Sequence, residues 1–210
     1  MIEAAAAAVI AGGAGRRLGG VDKALLEVGG EPILARQLSR LRPLFAELLL
    51  VANDPAPFAG FGVRVVPDLF AGKGAPGGVQ AALAAAAAPW VFCLGCDMPF
   101  PSPAAIELLA ARREGTLAVA PLREGRPEPL FAFYSRALAA PFAAALASGD
   151  PSLGGLLTAA RARFVGQADF ERADPGCRSL ENLNLPSDLI RLGCSEPHSP
   201  ALATPAAPRR

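Results

Sequence analysis

The sequence predicts a single three-layer α/β domain, Rossmann-like, with a mainly parallel but mixed sheet. Three observations lead there. Short aliphatic runs alternate with helical segments along most of the chain, which is the pattern of strands joined by crossover helices. A glycine-rich stretch follows the first apolar run directly. Polar residues then recur at the predicted carboxyl ends of later strands, where open α/β sheets bind ligands.

Ala6 to Ile10 is the first strand; it carries no basic segment before it and no cleavage site after it, so it is not read as a secretory leader. Ile33 to Phe45 places Leu34, Leu38, Leu41 and Phe45 on one helical face and Arg36, Gln37 and Arg40 on the other. Leu48 to Ala52 and Val63 to Val66 are the next strands, Gly78 to Ala88 a helix, and Trp90 to Leu94 a central strand. Pro103 to Arg113 is helical, and Leu117 to Pro121 and Pro129 to Tyr134 flank a turn that sets the second of them antiparallel. Arg136 to Ala147 and Ser152 to Ala160 are helical, and Pro186 to Leu192 forms a short closing helix. The domain is assigned to residues 1–193. Residues 194–210, rich in Ser, Pro, Ala and Thr without periodicity, are expected to be a disordered tail.

At 210 residues and 52% hydrophobic the chain can bury a real core. The net charge of +1 offers no broad footprint for nucleic acid or anionic lipid, and no apolar stretch is long enough to span a membrane, so a soluble, cytoplasmic protein is expected. Its phosphate chemistry must then be local. A single histidine, His198 in the tail, leaves no serine-histidine or cysteine-histidine pair to build. Cys93 and Cys96 lie in a hydrophobic strand without a second close pair, so they are read as core thiols rather than zinc ligands or a redox couple.

The strongest local signal is the run Ala11-Gly12-Gly13-Ala14-Gly15-Arg16-Arg17-Leu18-Gly19-Gly20-Val21-Asp22-Lys23. Glycines let backbone amides approach phosphate oxygens, and Arg16, Arg17 and Lys23 can neutralise the charge that builds on leaving pyrophosphate. Two familiar loops fail on spacing: Gly72-Lys73-Gly74 lacks the Ser or Thr of a P-loop, and Leu18 stands where a dinucleotide fingerprint needs Gly or Ala. The second signal is Leu94-Gly95-Cys96-Asp97-Met98-Pro99-Phe100, a carboxylate just past a buried strand. Asp97 is suited to Mg2+, which needs only one or two protein carboxylates when phosphates supply the other oxygens. The competing role for Asp97 is to cap the loop or the helix near Pro103. Asn53 and Asp68 sit at two further strand ends and are candidates for nucleotide contacts.

Ile10-Ala11-Gly12-Gly13 with Arg17 and Asp22-Lys23, Pro67-Asp68, Gly74-Ala75-Pro76-Gly77-Gly78, Cys96-Asp97-Met98-Pro99, Glu128-Pro129-Leu130 and Asn182-Leu183-Asn184 together resemble the molybdenum cofactor guanylyltransferases. The resemblance covers most of residues 6–192. It implies transfer of GMP from GTP to the terminal phosphate of molybdopterin, with Mg2+ as cofactor and pyrophosphate as second product. It implies that Ile10, Ala11, Gly12, Gly13, Lys23, Asn53, Asp68 and Asp97 bind the nucleotide, that Lys23, Arg17 and Asp97 serve catalysis, and that Asp97 holds the metal. Asn182 and Asn184 would face the acceptor, and molybdoenzymes or their chaperones would receive the product. The chain departs from the family at Val51, often an asparagine, and in the order of residues 74–78. The sister CTP-dependent cytidylyltransferases are the nearest rival. They tend to carry alanine where Gly12 stands, so the extra room favours a purine. More distant rivals are other nucleotidyltransferases and a non-enzymatic partner that only binds nucleotide or cofactor, for which Lys23 and Asp97 would be superfluous.

Overall fold

The computed structural model describes residues 1–11 and 22–183, together with the backbone of 194–195. Gly12, Gly13, Arg16, Arg17, Asn184, the expected helix over 186–192 and the expected tail beyond Ser195 lie outside the described residues.

The strands of the main sheet are β1 (Ala5–Ile10), β4 (Glu47–Val51), β5 (Arg64–Val66), β6 (Trp90–Gly95), β7 (Ala118–Arg123), β9 (Phe131–Ser135) and β10 (Arg163–Val165), with β8 (Arg126–Pro127) pairing onto β7. Their spatial order is β10-β7-β9-β6-β1-β4-β5. Strands β5, β4, β1 and β6 are mutually parallel, whereas β9 runs antiparallel to both β6 and β7, as the turn-rich segment before it suggested. The chain leaves β1 for β4 and β5 on one side and returns to β6 on the other, so the sheet has its switch point at the carboxyl end of β1.

Alternation along β1 divides the core into two layers. Ala5, Ala7 and Val9 face one cluster with Leu34, Leu38 and Leu41 of helix α1 (Ile33–Leu41) and with Ile106 and Leu109 of α3 (Pro103–Ala110). Ala6, Ala8 and Ile10 face the other, with Val79 and Leu83 of α2 (Gly74–Ala85), Phe142 of α4 (Ala139–Ser148) and Leu156 of α5 (Leu153–Ala159). Both faces are covered, so a central parallel strand is apolar throughout, here with small residues that let the helices approach. The first cluster is packed around Phe92, whose ring centroid lies 5.0 Å from both Phe131 and Phe133, a geometry aromatic pairs favour.

Several boundaries and elements differ from the expectation. Helix α1 stops at Leu41, and α2 begins at Gly74, so the second glycine-rich run forms the helix's first turn rather than a loop before it. A hairpin of β2 (Glu27–Val28) and β3 (Glu31–Pro32) turns on Gly29 and Gly30, both at positive φ (62° and 79°), which a two-residue hairpin turn requires. Cys194–Ser195, assigned to the tail, pair antiparallel with Glu27–Val28 as β11; backbone pairing thus reaches two residues into that segment. Helix α6 (Gln167–Ala173) completes the first layer through Phe170. Among the described residues no helix is long and apolar enough to cross a membrane.

Candidate active site

The carboxyl edge of β1 and its neighbours brings most of the described candidates to one rim. Ala11 N donates to Val51 O at 3.0 Å, Ala52 N to Val66 O at 3.0 Å and Cys96 N to Ile10 O at 3.2 Å, so the ends of β1, β4, β5 and β6 are stitched together beyond the strands themselves.

On the β6 side, residues Gly95 to Met98 form a turn closed by Met98 N donating to Gly95 O at 3.2 Å, with Cys96 and Asp97 at its centre. A Cβ on residue 95 would stand 2.8 Å from Asp97 Oδ1, so glycine is what lets the carboxylate fold over the strand end. Lys23 Nζ lies 3.4 Å from Asp97 Oδ2 and donates to Leu183 O at 2.6 Å, while Leu183 N donates to Asp97 O at 2.9 Å. Asp22, whose Oδ1 accepts from Ala24 N at 3.0 Å, caps the short 3-10 turn Lys23–Leu25 and thereby orients Lys23; burial raises its carboxyl above the usual range. Asp97 does not cap the following helix: Ser102 does, accepting from Ala105 N.

Asn182 is drawn into the same group. Burial, the largest influence, raises the carboxyl of Glu128, and a hydrogen bond from the Asn182 carboxamide opposes that rise. Asn182 Oδ1 is buried and has no partner among the described residues. Leu130 N also donates to Glu128 Oε1 at 3.3 Å.

On the β4–β5 side, Asn53 Oδ1 accepts from Asp68 N at 2.9 Å and Asp68 Oδ1 accepts from Phe70 N at 2.9 Å. A Cβ on Gly77 would lie 2.8 Å from Asp68 Oδ1, and one on Gly78 only 2.6 Å from Ile10 Cγ2. The helix start is glycine because it presses against these two groups. The Asn53 oxygen accepts this backbone bond, and its amide nitrogen is the group that can donate to a ligand.

Gln37 was expected on the polar face of its helix with Arg36 and Arg40. The structure corrects this: Gln37 is fully buried, and its Nε2 donates to Gly95 O and Met98 O, each at 2.8 Å. A polar residue between charged neighbours reads as solvent-facing because helical spacing carries no sign of main-chain acceptors 58 and 61 residues away. Glu128 was visible only as a landmark beside Pro129. Burial pushes the Cys93 and Cys96 thiols up, and Asp97 and Asp22 push Cys96 further, which keeps both in the inert protonated form.

An open, mainly parallel sheet brings a lysine and a carboxylate together at its switch point, the place where such sheets bind ligands. Comparison with known proteins gives the class directly: the chain belongs to the family of the MobA-like NTP transferase domain, which it matches over residues 7–164. It is therefore an enzyme of the nucleotidyltransferase class. It is 40% identical over 191 residues to a molybdenum cofactor guanylyltransferase of Cereibacter sphaeroides, covering 87% of this chain and 92% of that one. A protein of the same description from Rhodopseudomonas palustris is 36% identical, with 87% and 90% covered. The crystal structure of molybdopterin-guanine dinucleotide biosynthesis protein A from Archaeoglobus fulgidus superposes with a TM-score of 0.78 at 26% identity, covering 89% of this chain and 96% of that one.

Proposed function

We propose that the protein transfers GMP from GTP to the terminal phosphate of molybdopterin, giving the guanine dinucleotide form of the cofactor and pyrophosphate. The observation that carries this reading is the meeting of Lys23 and Asp97 over the switch point, in a chain that matches guanylyltransferases along nearly the whole of both lengths. An acceptor phosphate oxygen attacks the α-phosphorus of GTP, the bond from that phosphorus to the β-phosphate bridging oxygen breaks, and the electron pair leaves with pyrophosphate. The acceptor phosphate, with a second pKa of about 6, needs positioning more than deprotonation.

The residues fit a hard divalent cation such as Mg2+: Asp97 offers carboxylate oxygens at a strand end, on a side chain that stays partly open to solvent beside Lys23. Bound there, the metal would neutralise phosphate charge. Lys23, fixed by Leu183 O, holds its ammonium beside that carboxylate, where charge grows on the departing pyrophosphate. Arg17, Gly12 and Gly13 are assigned to the triphosphate on the family pattern alone. Ile10, Ala11, Asn53 and Asp68 form the opposite wall, where Asn53 offers its amide nitrogen. Asn182 and Asn184 are assigned to the acceptor on the family pattern alone. The product passes to molybdoenzymes or their chaperones, and the reaction belongs in the cytoplasm with the GTP pool.

Pyrophosphate release should be measured with each of the four nucleoside triphosphates, with and without molybdopterin. Release with GTP that depends on the acceptor is the expected result. A preference for CTP would assign the chain to cytidylyl transfer instead, and nucleotide binding with no release would remove the transfer reading.

A further inference from the structure

Gln37 is the one residue of the α1 core face whose side chain brings polar atoms into the apolar layer among Leu34, Leu38 and Leu41. Its amide nitrogen has two hydrogens, and both are used. One meets Gly95 O and the other Met98 O, each at 2.8 Å, and these are the two ends of the turn that carries Asp97. The amide therefore spans the turn like a staple. Its other polar atom, Oε1, is buried without a partner among the described residues, an arrangement that costs stability and that a leucine or methionine would avoid. Core packing alone does not account for an amide here.

The remaining bonds to the turn come from backbone: Gly95 N to Leu130 O at 2.8 Å, Cys96 N to Ile10 O at 3.2 Å and Leu183 N to Asp97 O at 2.9 Å. They attach the turn to its neighbours; its two ends are joined by Met98 N donating to Gly95 O at 3.2 Å and, from outside the turn, by Gln37. Without Gln37 the turn keeps a single closing bond of 3.2 Å beside these outer attachments, and a small displacement of a carboxylate is enough to weaken a metal or phosphate site.

We propose that Gln37 is a positioning residue for the transfer reaction, locking the turn from Gly95 to Met98 so that the Asp97 carboxylate is held in place toward Lys23 before substrate arrives. The inference rests on the reading of Asp97 as the residue that handles metal and phosphate charge. It assigns to helix α1, which otherwise only covers the sheet, a direct connection to the chemistry.

The test compares Gln37→Met, which keeps length and apolar volume but removes both donors, with Leu38→Ala, which destabilises the same helix without touching the turn. Amide hydrogen exchange of the ligand-free protein reads the turn itself, and the Mg2+ concentration giving half-maximal rate reads its consequence. Gln37→Met is expected to speed exchange at Cys96 to Met98 and to raise the Mg2+ requirement about tenfold to a hundredfold, the usual cost of losing an outer-shell support. KM for GTP should move little, and Leu38→Ala should lower the melting temperature without either effect. Should Gln37→Met fail to fold, Gln37→Leu carries the same test, because it fills the apolar layer and donates no hydrogen. Unchanged exchange and Mg2+ dependence, or equal changes in Leu38→Ala, overturn the proposal. Faster exchange in a protein whose wild type releases no pyrophosphate from GTP would uphold the staple and defeat the functional reading instead.

Discussion

The two sides of the β1 carboxyl end are built on opposite principles. Toward β6, Asp97 sits in a turn whose backbone is bonded to Ile10, Leu183 and Gln37, and a lysine is bonded in beside it. Toward β5, Asn53 and Asp68 are held by two hydrogen bonds at an accessible corner, and the start of α2 packs closely against Asp68 and Ile10 because Gly77 and Gly78 lack side chains. One side is a fixed set of charges, and the other is a shape. Charge that develops as a bond breaks is stabilised best by groups that need no rearrangement, whereas a base and ribose need room and a few hydrogen bonds. The proposed reaction therefore divides its labour across the switch point.

The sharpest way to break this division is at Asp97. Asp97→Asn should lower kcat more than about a hundredfold, the scale of losing one preorganised electrostatic partner, while GTP still binds. A rate that stays near wild type at saturating Mg2+ would move the metal elsewhere. Lys23→Ala comes next: a loss of about a hundredfold in kcat, carried through to kcat/KM, is expected if its ammonium acts mainly on the transition state. An increase in KM for GTP with kcat intact would leave Lys23 a binding residue and make Arg17 the better leaving-group contact.

The β5 side should respond differently. Gly78→Ala places a methyl 2.6 Å from Ile10 Cγ2, an overpacking that should cost about 1–3 kcal/mol. Thermal unfolding should show that loss, and KM for GTP should rise because Ile10 lines the same wall. Asn53→Ala is the mildest change. It removes the acceptor for Asp68 N at an exposed corner, so about 1 kcal/mol or less of stability is at stake. Steady-state kinetics should show a modest increase in KM for GTP with kcat unchanged, and a large fall in kcat would place Asn53 in the chemistry and dissolve the division.

The same contrast explains what the sequence disclosed. Buried parallel strands are continuous apolar runs, and a carboxylate at the end of one stands out, so β1, β6 and Asp97 were legible. Glycine runs were legible as residues but not as geometry: Gly77 and Gly78 belong to the first turn of α2, pressed against Asp68 and Ile10, and no local pattern says so. The hairpin about Gly29-Gly30 carried a turn signal, yet its two-residue strands are too short for any periodicity. Gln37 and the Glu128–Asn182 bond join residues far apart in the chain, and side-chain partners at such separation leave no trace in composition or spacing.

The most direct measurement follows the α-phosphorus. With GTP labelled at that position and molybdopterin as acceptor, the label should appear in an acceptor-linked guanine dinucleotide in equal amount to pyrophosphate. Asp97→Asn should abolish both while leaving GTP bound. Label recovered only as free GMP, or dinucleotide formed at an undiminished rate by Asp97→Asn, would contradict guanylyl transfer at this turn.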